Sequence, residues 1–209
     1  MDPRRGAPAR LTPVPARRDG CTAPAAAVAI AVAAAVDSPA AAAPAPASMR
    51  CVPSVTVRPM TPTEYAGMMA AADEDYAARQ VEAGAWPADG ALARAAAETA
   101  KWLPDGIRTP RTLLLRGLDE HGVGVGSAWV ALDDPNDRPD TAFLFELMVD
   151  ASRRGSGYGR ALLAAVEEAT RAAGAPALAL NVFGANRVAI ALYASAGYGV
   201  TAQQMRKAL

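Results

Sequence analysis

Phe143-Leu-Phe-Glu-Leu-Met-Val149, followed by Asp150-Ala-Ser-Arg-Arg-Gly-Ser-Gly-Tyr-Gly-Arg160, is the stretch that decides how this chain folds. It reads as a buried apolar strand, then a turn with two arginines and with glycines at 155, 157 and 159. An amphipathic helix follows, because Leu162, Leu163, Val166 and Ala169 recur at helical spacing. A strand, a glycine turn and a helix N-terminus together offer several backbone N–H groups and a positive dipole end to a phosphate. Alternate glycines let the main chain approach the anion closely, since no Cβ stands in the way. The expected ligand carries a pyrophosphate.

Two common phosphate sites do not fit. A P-loop ends in Gly-Lys-Ser/Thr, with the lysine for the terminal phosphates and the hydroxyl for magnesium. Here the end is Gly159-Arg160-Ala161, which supplies neither. A dinucleotide site needs a carboxylate at the tip of the next strand. The next apolar run, Ala177-Leu-Ala-Leu-Asn-Val-Phe183, ends without one, and too few residues follow it for the further strands of that fold.

Arg154-Gly-Ser-Gly157-Tyr-Gly159 matches Arg/Gln-x-x-Gly-x-Gly/Ala, and so resembles the coenzyme A loop of GNAT-type N-acetyltransferases. The resemblance continues in Asn181-Val-Phe-Gly-Ala-Asn186, Ala189, Leu192-Tyr193 and Gly197-Tyr198, where an Asn opens a helix that carries a Tyr. Met205-Arg-Lys-Ala-Leu209 is similar to the family's last strand. Upstream, Leu103-Pro-Asp-Gly-Ile-Arg-Thr-Pro110 and Val125-Gly-Ser-Ala-Trp129 resemble one bacterial branch of it. The likeness spans roughly 55–209. It implies an α/β domain with a mixed sheet flanked by helices, acetyl-CoA as cosubstrate and an amine as acceptor.

Composition bounds the remaining possibilities. The 209 residues hold 21 basic and 21 acidic side chains, so no global field draws the chain to nucleic acid or membrane. The two cysteines, Cys21 and Cys51, precede the domain and make no disulfide framework or zinc site, and no metal is expected. The sole histidine, His121, lies in the turn Asp119-Glu-His-Gly122, away from any cleft that catalysis by histidine requires. Residues 1–51 are rich in Ala, Pro and Arg, hold no aromatic residue, and are expected to be a disordered tail to a domain at 52–209. Arg17-Arg18 before the apolar run 25–36 has the look of a signal peptide. Export would part the enzyme from cytoplasmic acetyl-CoA, so we expect Met49 to be the initiator and the location to be cytoplasmic.

Within the domain, a short strand is expected near 55–57. Thr61-Pro-Thr-Glu64 signals a helix start, with that helix running to Glu82. Asp89-Gly90 begins a second helix, which Pro104 and Gly106 end. A hairpin is expected over 112–118 and 122–132, the central strand over 141–149, a helix over 157–172, a strand over 177–183 and a helix over 186–195. A single closing strand would leave a sheet edge free, and with it a homodimer.

The chemistry can be assigned residue by residue. Backbone N–H groups of Gly155, Ser156, Gly157, Tyr158, Gly159 and Arg160 would hold the pyrophosphate, with Arg154 either touching a phosphate or solvated. By the resemblance, Leu147, Met148 and Val149 would bond the pantetheine arm as a strand would, and a backbone N–H there would polarise the thioester carbonyl. Glu146 is the one carboxylate in the central apolar run, where a charge is costly unless used or paired. It is the candidate base, acting through a water, or else a structural ion-pair partner. The other carboxylates considered, Asp73, Glu74 and Asp75, read as a solvated helix face. The resemblance makes Tyr193 the acid for the leaving thiolate. Asn186, seven residues earlier on the same helical face, would cap its helix and bond the coenzyme. Tyr76, Trp86 and Trp102 are the large side chains expected in the core or around the acceptor. The reaction expected is direct acetyl transfer to a small-molecule or peptide amine. The rivals are a silent acyl-CoA-binding module and an interaction protein working through its tail.

Overall fold

The computed structural model describes residues 53–205 and 207. The expected tail at 1–51, with Met49 and both cysteines, lies outside the described residues, as do Arg206, Ala208 and Leu209 of the expected closing strand.

Among the described residues, nine α-helices and strands follow one another: β1 (Thr56–Pro59), α1 (Pro62–Glu82), α2 (Ala91–Trp102), β2 (Thr112–Leu118), β3 (Gly124–Ala131), β4 (Thr141–Val149), α3 (Tyr158–Ala172), β5 (Ala177–Leu180) and α4 (Arg187–Ser195). The start of α1 is built as its sequence dictates. The Glu64 N–H donates to the Thr61 hydroxyl at 3.3 Å, and Glu64 Oε2 accepts from the Thr61 N–H at 2.8 Å. Pro62 fills the first helical position, where the missing N–H has no intrahelical role. Gly90 opens α2 at a φ of +72°, a left-handed conformation that favours glycine.

The strands form one sheet in the order β1-β2-β3-β4-β5, antiparallel except for the parallel β4–β5 pair. Helices cover both faces. On one face Met68, Met69, Tyr76 and Leu103 pack on Leu114, Trp129, Phe143 and Phe145. On the other, Leu162, Leu163, Val166 and Tyr193 pack on Leu115, Val130, Leu144 and Leu147. Leu144 and Leu147 are three residues apart, yet both belong to the second cluster. Strict alternation would separate them. The register explains it: Trp129 pairs with Glu146 but Val130 pairs with Leu144, so Phe145 is an extra residue in β4, a β-bulge.

β5 ends sooner than its sequence suggests, at Leu180 and not at 183. It pairs with β4 only from Thr141 to Leu144, so the remainder of β4 has no strand partner on that side among the described residues. The bulge bends β4 just where pairing stops. Among the described residues after α4, none through Met205 is in a strand.

The glycines of β2 and β3, which the sequence presents only as small residues, mark where α3 lies against the sheet. A Cβ on Gly117 would meet Leu162 Cδ1 at 2.5 Å, and one on Gly126 would meet Leu162 Cδ2 at 2.8 Å and collide with the Met148 carbonyl oxygen. Leu162 itself is fully buried. Substituting Gly126→Ala should therefore destabilise the fold by about 1–3 kcal/mol through overpacking. For a domain of this size that lowers the unfolding midpoint by roughly 3–10 °C; an unchanged midpoint in a thermal melt would show that β3 and α3 can move apart freely.

Candidate active site

The site lies where β4 leaves β5. Gly155 and Gly157 take φ values of +72° and +91°, left-handed conformations that turn the chain from the end of β4 into α3. Gly157 caps α3 without any side-chain hydrogen bond. The Arg160 and Ala161 N–H groups both donate to the Gly157 carbonyl, at 3.1 and 3.2 Å. Ahead of them, the N–H groups of residues 155 to 159 enter no backbone hydrogen bond among the described residues. That is a cradle of donors at a helix N-terminus, the arrangement a pyrophosphate fits.

The arginines of the loop are engaged differently from one another. Arg154 Nε donates to the Val149 carbonyl at 3.1 Å, which ties the loop to the end of β4. Arg153 pairs with Asp119 at 3.1 Å and lies over the Tyr158 ring. Arg160 donates to the Ser195 hydroxyl at 3.0 Å and so joins α3 to α4.

Behind the cradle, Leu147, Met148 and Val149 run along the unpaired flank of β4. Their other flank is held by Ala128, Ser127 and Gly126 of β3. Apart from the Val149 carbonyl, which accepts from Arg154, main-chain groups there can pair with an extended ligand arm, as an added strand would.

The three polar residues singled out in the sequence are all buried: Glu146 is 0 % exposed, and Asn186 and Tyr193 are each 3 % exposed. Asn186 Oδ1 accepts from the Ala189 N–H at 3.1 Å and so caps α4. The Tyr193 hydroxyl has no hydrogen-bond partner among the described residues. Burial raises the Tyr193 phenol above its ordinary value, and the charge of Glu146 raises it further. The phenol thus feels the carboxylate's charge, although Glu146 lies on the side of Trp129 and Tyr193 belongs to the cluster under α3. Tyr198, which the sequence offered only as a motif landmark, stands edge-on to Tyr193 at 5.5 Å and is raised mainly by burial and then by Glu167.

One expectation changes. Asp73 is not part of a solvated face: the Thr99 hydroxyl donates to it at 2.6 Å, tying α1 to α2, and burial raises its carboxyl. Asp75 is bonded to Arg79 one turn on. Of the two uses weighed for Tyr76, Trp86 and Trp102, core packing is the one seen. Tyr76 and Trp86 meet edge to face at 5.1 Å, and Trp102 lies 5.2 Å from Phe145 in the core.

The cavity beside the site lies instead between the start of α1 and the sheet, with a volume of about 280 Å³. Met60, Met68 and Met148 line it, with Ser127, Gly67 and the charged residues Glu64, Arg116 and Asp150. Apart from Met148, named for the coenzyme arm, sequence reasoning missed these residues, because the Arg116–Asp150 pair joins residues far apart in the chain. A larger hollow of about 520 Å³ sits under loop 133–140 at the opposite end of β4 and shares no residue with the site.

Comparison with known proteins agrees with the geometry. The model of the Acetyltransferase (GNAT) family matches residues 76–198. The chain is 30 % identical over 157 residues to "Uncharacterized N-acetyltransferase YycN" of Bacillus subtilis (strain 168), covering 75 % of this chain and 99 % of that protein. It is 26 % identical over 154 residues to YdgE, an N-acetyltransferase of the same organism, covering 74 % of this chain and 98 % of YdgE. The crystal structure of YycN superposes with a TM-score of 0.70 at 29 % identity, covering 75 % of this chain and 99 % of YycN. An open cradle of N–H groups at α3, a mixed sheet in which β5 pairs with only part of β4, and these matches lead to one conclusion: the chain belongs to the GNAT family and is an acetyltransferase.

Proposed function

We propose that this acetyltransferase moves an acetyl group from acetyl-CoA to a primary amine, by direct attack within a ternary complex. The observation that carries this reading is the set of N–H groups left open at the start of α3 beside the unpaired flank of β4, with Glu146 and Tyr193 each buried and electrostatically coupled. Acetyl-CoA supplies the thioester, whose carbonyl carbon is the electrophile and whose thiolate leaves.

The chain's residues divide the work. The N–H groups of Gly155 to Gly159 hold the pyrophosphate, aided by the positive end of α3, while the Arg160 N–H is spent on the Gly157 carbonyl. Leu147 to Val149 bond the pantetheine arm, and a backbone N–H at the splay donates to the carbonyl oxygen as charge gathers there. Asn186 orients the arm from the start of α4, and Arg154 stiffens the loop. Glu146, through a water, takes one proton from the attacking ammonium, whose ordinary pKa is ~10. The nitrogen lone pair forms the C–N bond, the nitrogen loses its second proton to solvent, and the C–S bond breaks with its electron pair on sulfur. Tyr193 gives its hydroxyl proton to that thiolate and recovers one from solvent. No side chain of the site is cast as a covalent nucleophile, which is why both substrates are bound together.

The acceptor is read as a small-molecule or peptide amine, and the cytoplasm, where acetyl-CoA is made, as the working compartment. No helix among the described residues is long and apolar enough to cross a membrane. The edge position of β5 supports a homodimer.

Acetyl-CoA at ~100 times its Kd should stabilise the protein by about 2.7 kcal/mol and raise its melting midpoint by several degrees. Dinucleotides should not. Absence of a shift would remove the coenzyme assignment. Tyr193→Phe and Glu146→Gln should each lower kcat by roughly 10–100-fold while leaving the acetyl-CoA shift intact. Turnover that survives both substitutions would leave the acid and base unassigned, and binding with no turnover in the wild type would make this a silent acyl-CoA-binding module. Because its phenol is raised, Tyr193 should stay protonated, so kcat should show no alkaline fall below about pH 10 that Tyr193→Phe abolishes. Such a fall in the pH–rate profile would contradict the burial of its hydroxyl.

A further inference from the structure

The cavity under α1 is on the same face of the sheet as Glu146 and opens one pleat away from it. Ser127 pairs with Met148, and Trp129, two residues along β3, pairs with Glu146. Two residues of strand span about 7 Å. An acceptor whose amine reaches the splay of β4 would thus lay its body across Met148 and Ser127.

Gly67 indicates that the space is kept open. It sits inside the 21-residue helix α1, lines the cavity, and a Cβ built on it meets nothing within 4 Å. Glycine inside a helix is unfavourable relative to alanine. Neither close packing nor a left-handed conformation calls for it here, and its effect is to widen the cavity.

The lining sets the chemistry of the occupant. Met60, Met68 and Met148 form an apolar, adaptable wall. At the far end, Arg116 Nη1 and Nη2 donate to the two oxygens of Asp150, at 3.1 and 2.6 Å. The Arg116 guanidinium lies flat over Gly124, in space a Cβ would occupy. Glu64 is already committed: its oxygens accept from Arg58 at 2.8 Å twice, from the Thr61 N–H at 2.8 Å and from the Thr61 hydroxyl at 3.0 Å. Those bonds hold its carboxyl down to about 2. A guanidinium has five N–H donors, and the pair with Asp150 uses two of them. Asp150 keeps acceptor lone pairs of its own, so an incoming anion would share the guanidinium with it: three N–H donors of Arg116 and the Ser127 hydroxyl remain for a second carboxylate beside Asp150.

We infer that the acceptor is an amine with an apolar body and a carboxylate at its far end, seated in the cavity between α1 and β3–β4 with the carboxylate on Arg116. This rests on the acetyltransferase reading above and adds the substrate class.

The test compares 6-aminohexanoate with pentylamine, which has the same chain without the carboxylate, as acceptors for the full-length protein with saturating acetyl-CoA. A charge-assisted hydrogen bond of the usual strength predicts a preference of roughly tenfold or more in kcat/KM for 6-aminohexanoate. Arg116→Gln should collapse that ratio toward one, and Arg116→Lys should restore part of it, a pattern that mere loosening of the Asp150 pair would not give. Gly67→Leu should raise the KM for 6-aminohexanoate by about tenfold or more without lowering the melting midpoint or the acetyl-CoA shift. Equal acetylation of both amines, or an unchanged KM in Gly67→Leu, overturns the inference and leaves the amine acetyltransferase standing. Binding of acetyl-CoA with no amine acetylated overturns both.

Discussion

Between Leu144 and Glu146 the ladder joining β3 to β4 gains one residue on the β4 side, and the geometry of the site depends on that insertion. It changes the phase of the strand, so that Leu144 and Leu147 both reach the α3 face while Phe143 and Phe145 fill the face under α1 and α2. A bulge also bends its strand. Beyond it β4 parts from β5, whose last partner is Leu144. The unpaired flank, the carboxylate opposite Trp129 and the approach to the glycine loop follow from the same local change.

The bend is held from behind by α3. Leu162 reaches the sheet only because Gly117 and Gly126 present no side chain, and it touches β2 and β3 together. Since α3 begins at the loop, the seating of Leu162 also fixes where the open N–H groups point. Arg154 adds a second tie through the Val149 carbonyl, and Arg160 a third through Ser195 of α4. Core packing and ligand cradle are thus one mechanical unit, which is why a methyl group placed on β3 would be felt at the loop.

Much of this was legible in the sequence because it is local. The capping box at Thr61–Glu64, the strand-turn-helix at 143–172 and the Asn that opens α4 are each written within a few residues. Glu146 stood out because a charge in an apolar strand has to be accounted for. What stayed hidden is nonlocal. The bulge is a property of the pairing between β3 and β4, and an apolar run such as 143–149 does not reveal its phase. The shortened β5 has the same cause. Gly117, Gly124 and Gly126 read as small residues until their neighbours, Leu162 and the Arg116 guanidinium, are in place. Asp73 read as solvated because its partner, Thr99, lies on another helix.

The electrostatics of the buried pair bear on the order of proton movements in the proposed reaction. A phenol raised by burial is a poorer acid than a free one, which by itself would count against Tyr193. The same dry surroundings, however, destabilise a thiolate and raise its proton affinity as well, so the difference between the two groups matters more than either value. The charge of Glu146 contributes a further rise to the phenol. That contribution lasts only while the carboxylate is ionised. Once Glu146 has accepted the proton of the attacking amine, its charge is gone and the Tyr193 hydroxyl becomes more acidic, at the stage when sulfur needs a proton. The two groups therefore favour a sequence in which deprotonation of the amine precedes protonation of the leaving group, through the charge of one carboxylate on the central strand felt by one phenol on the last helix.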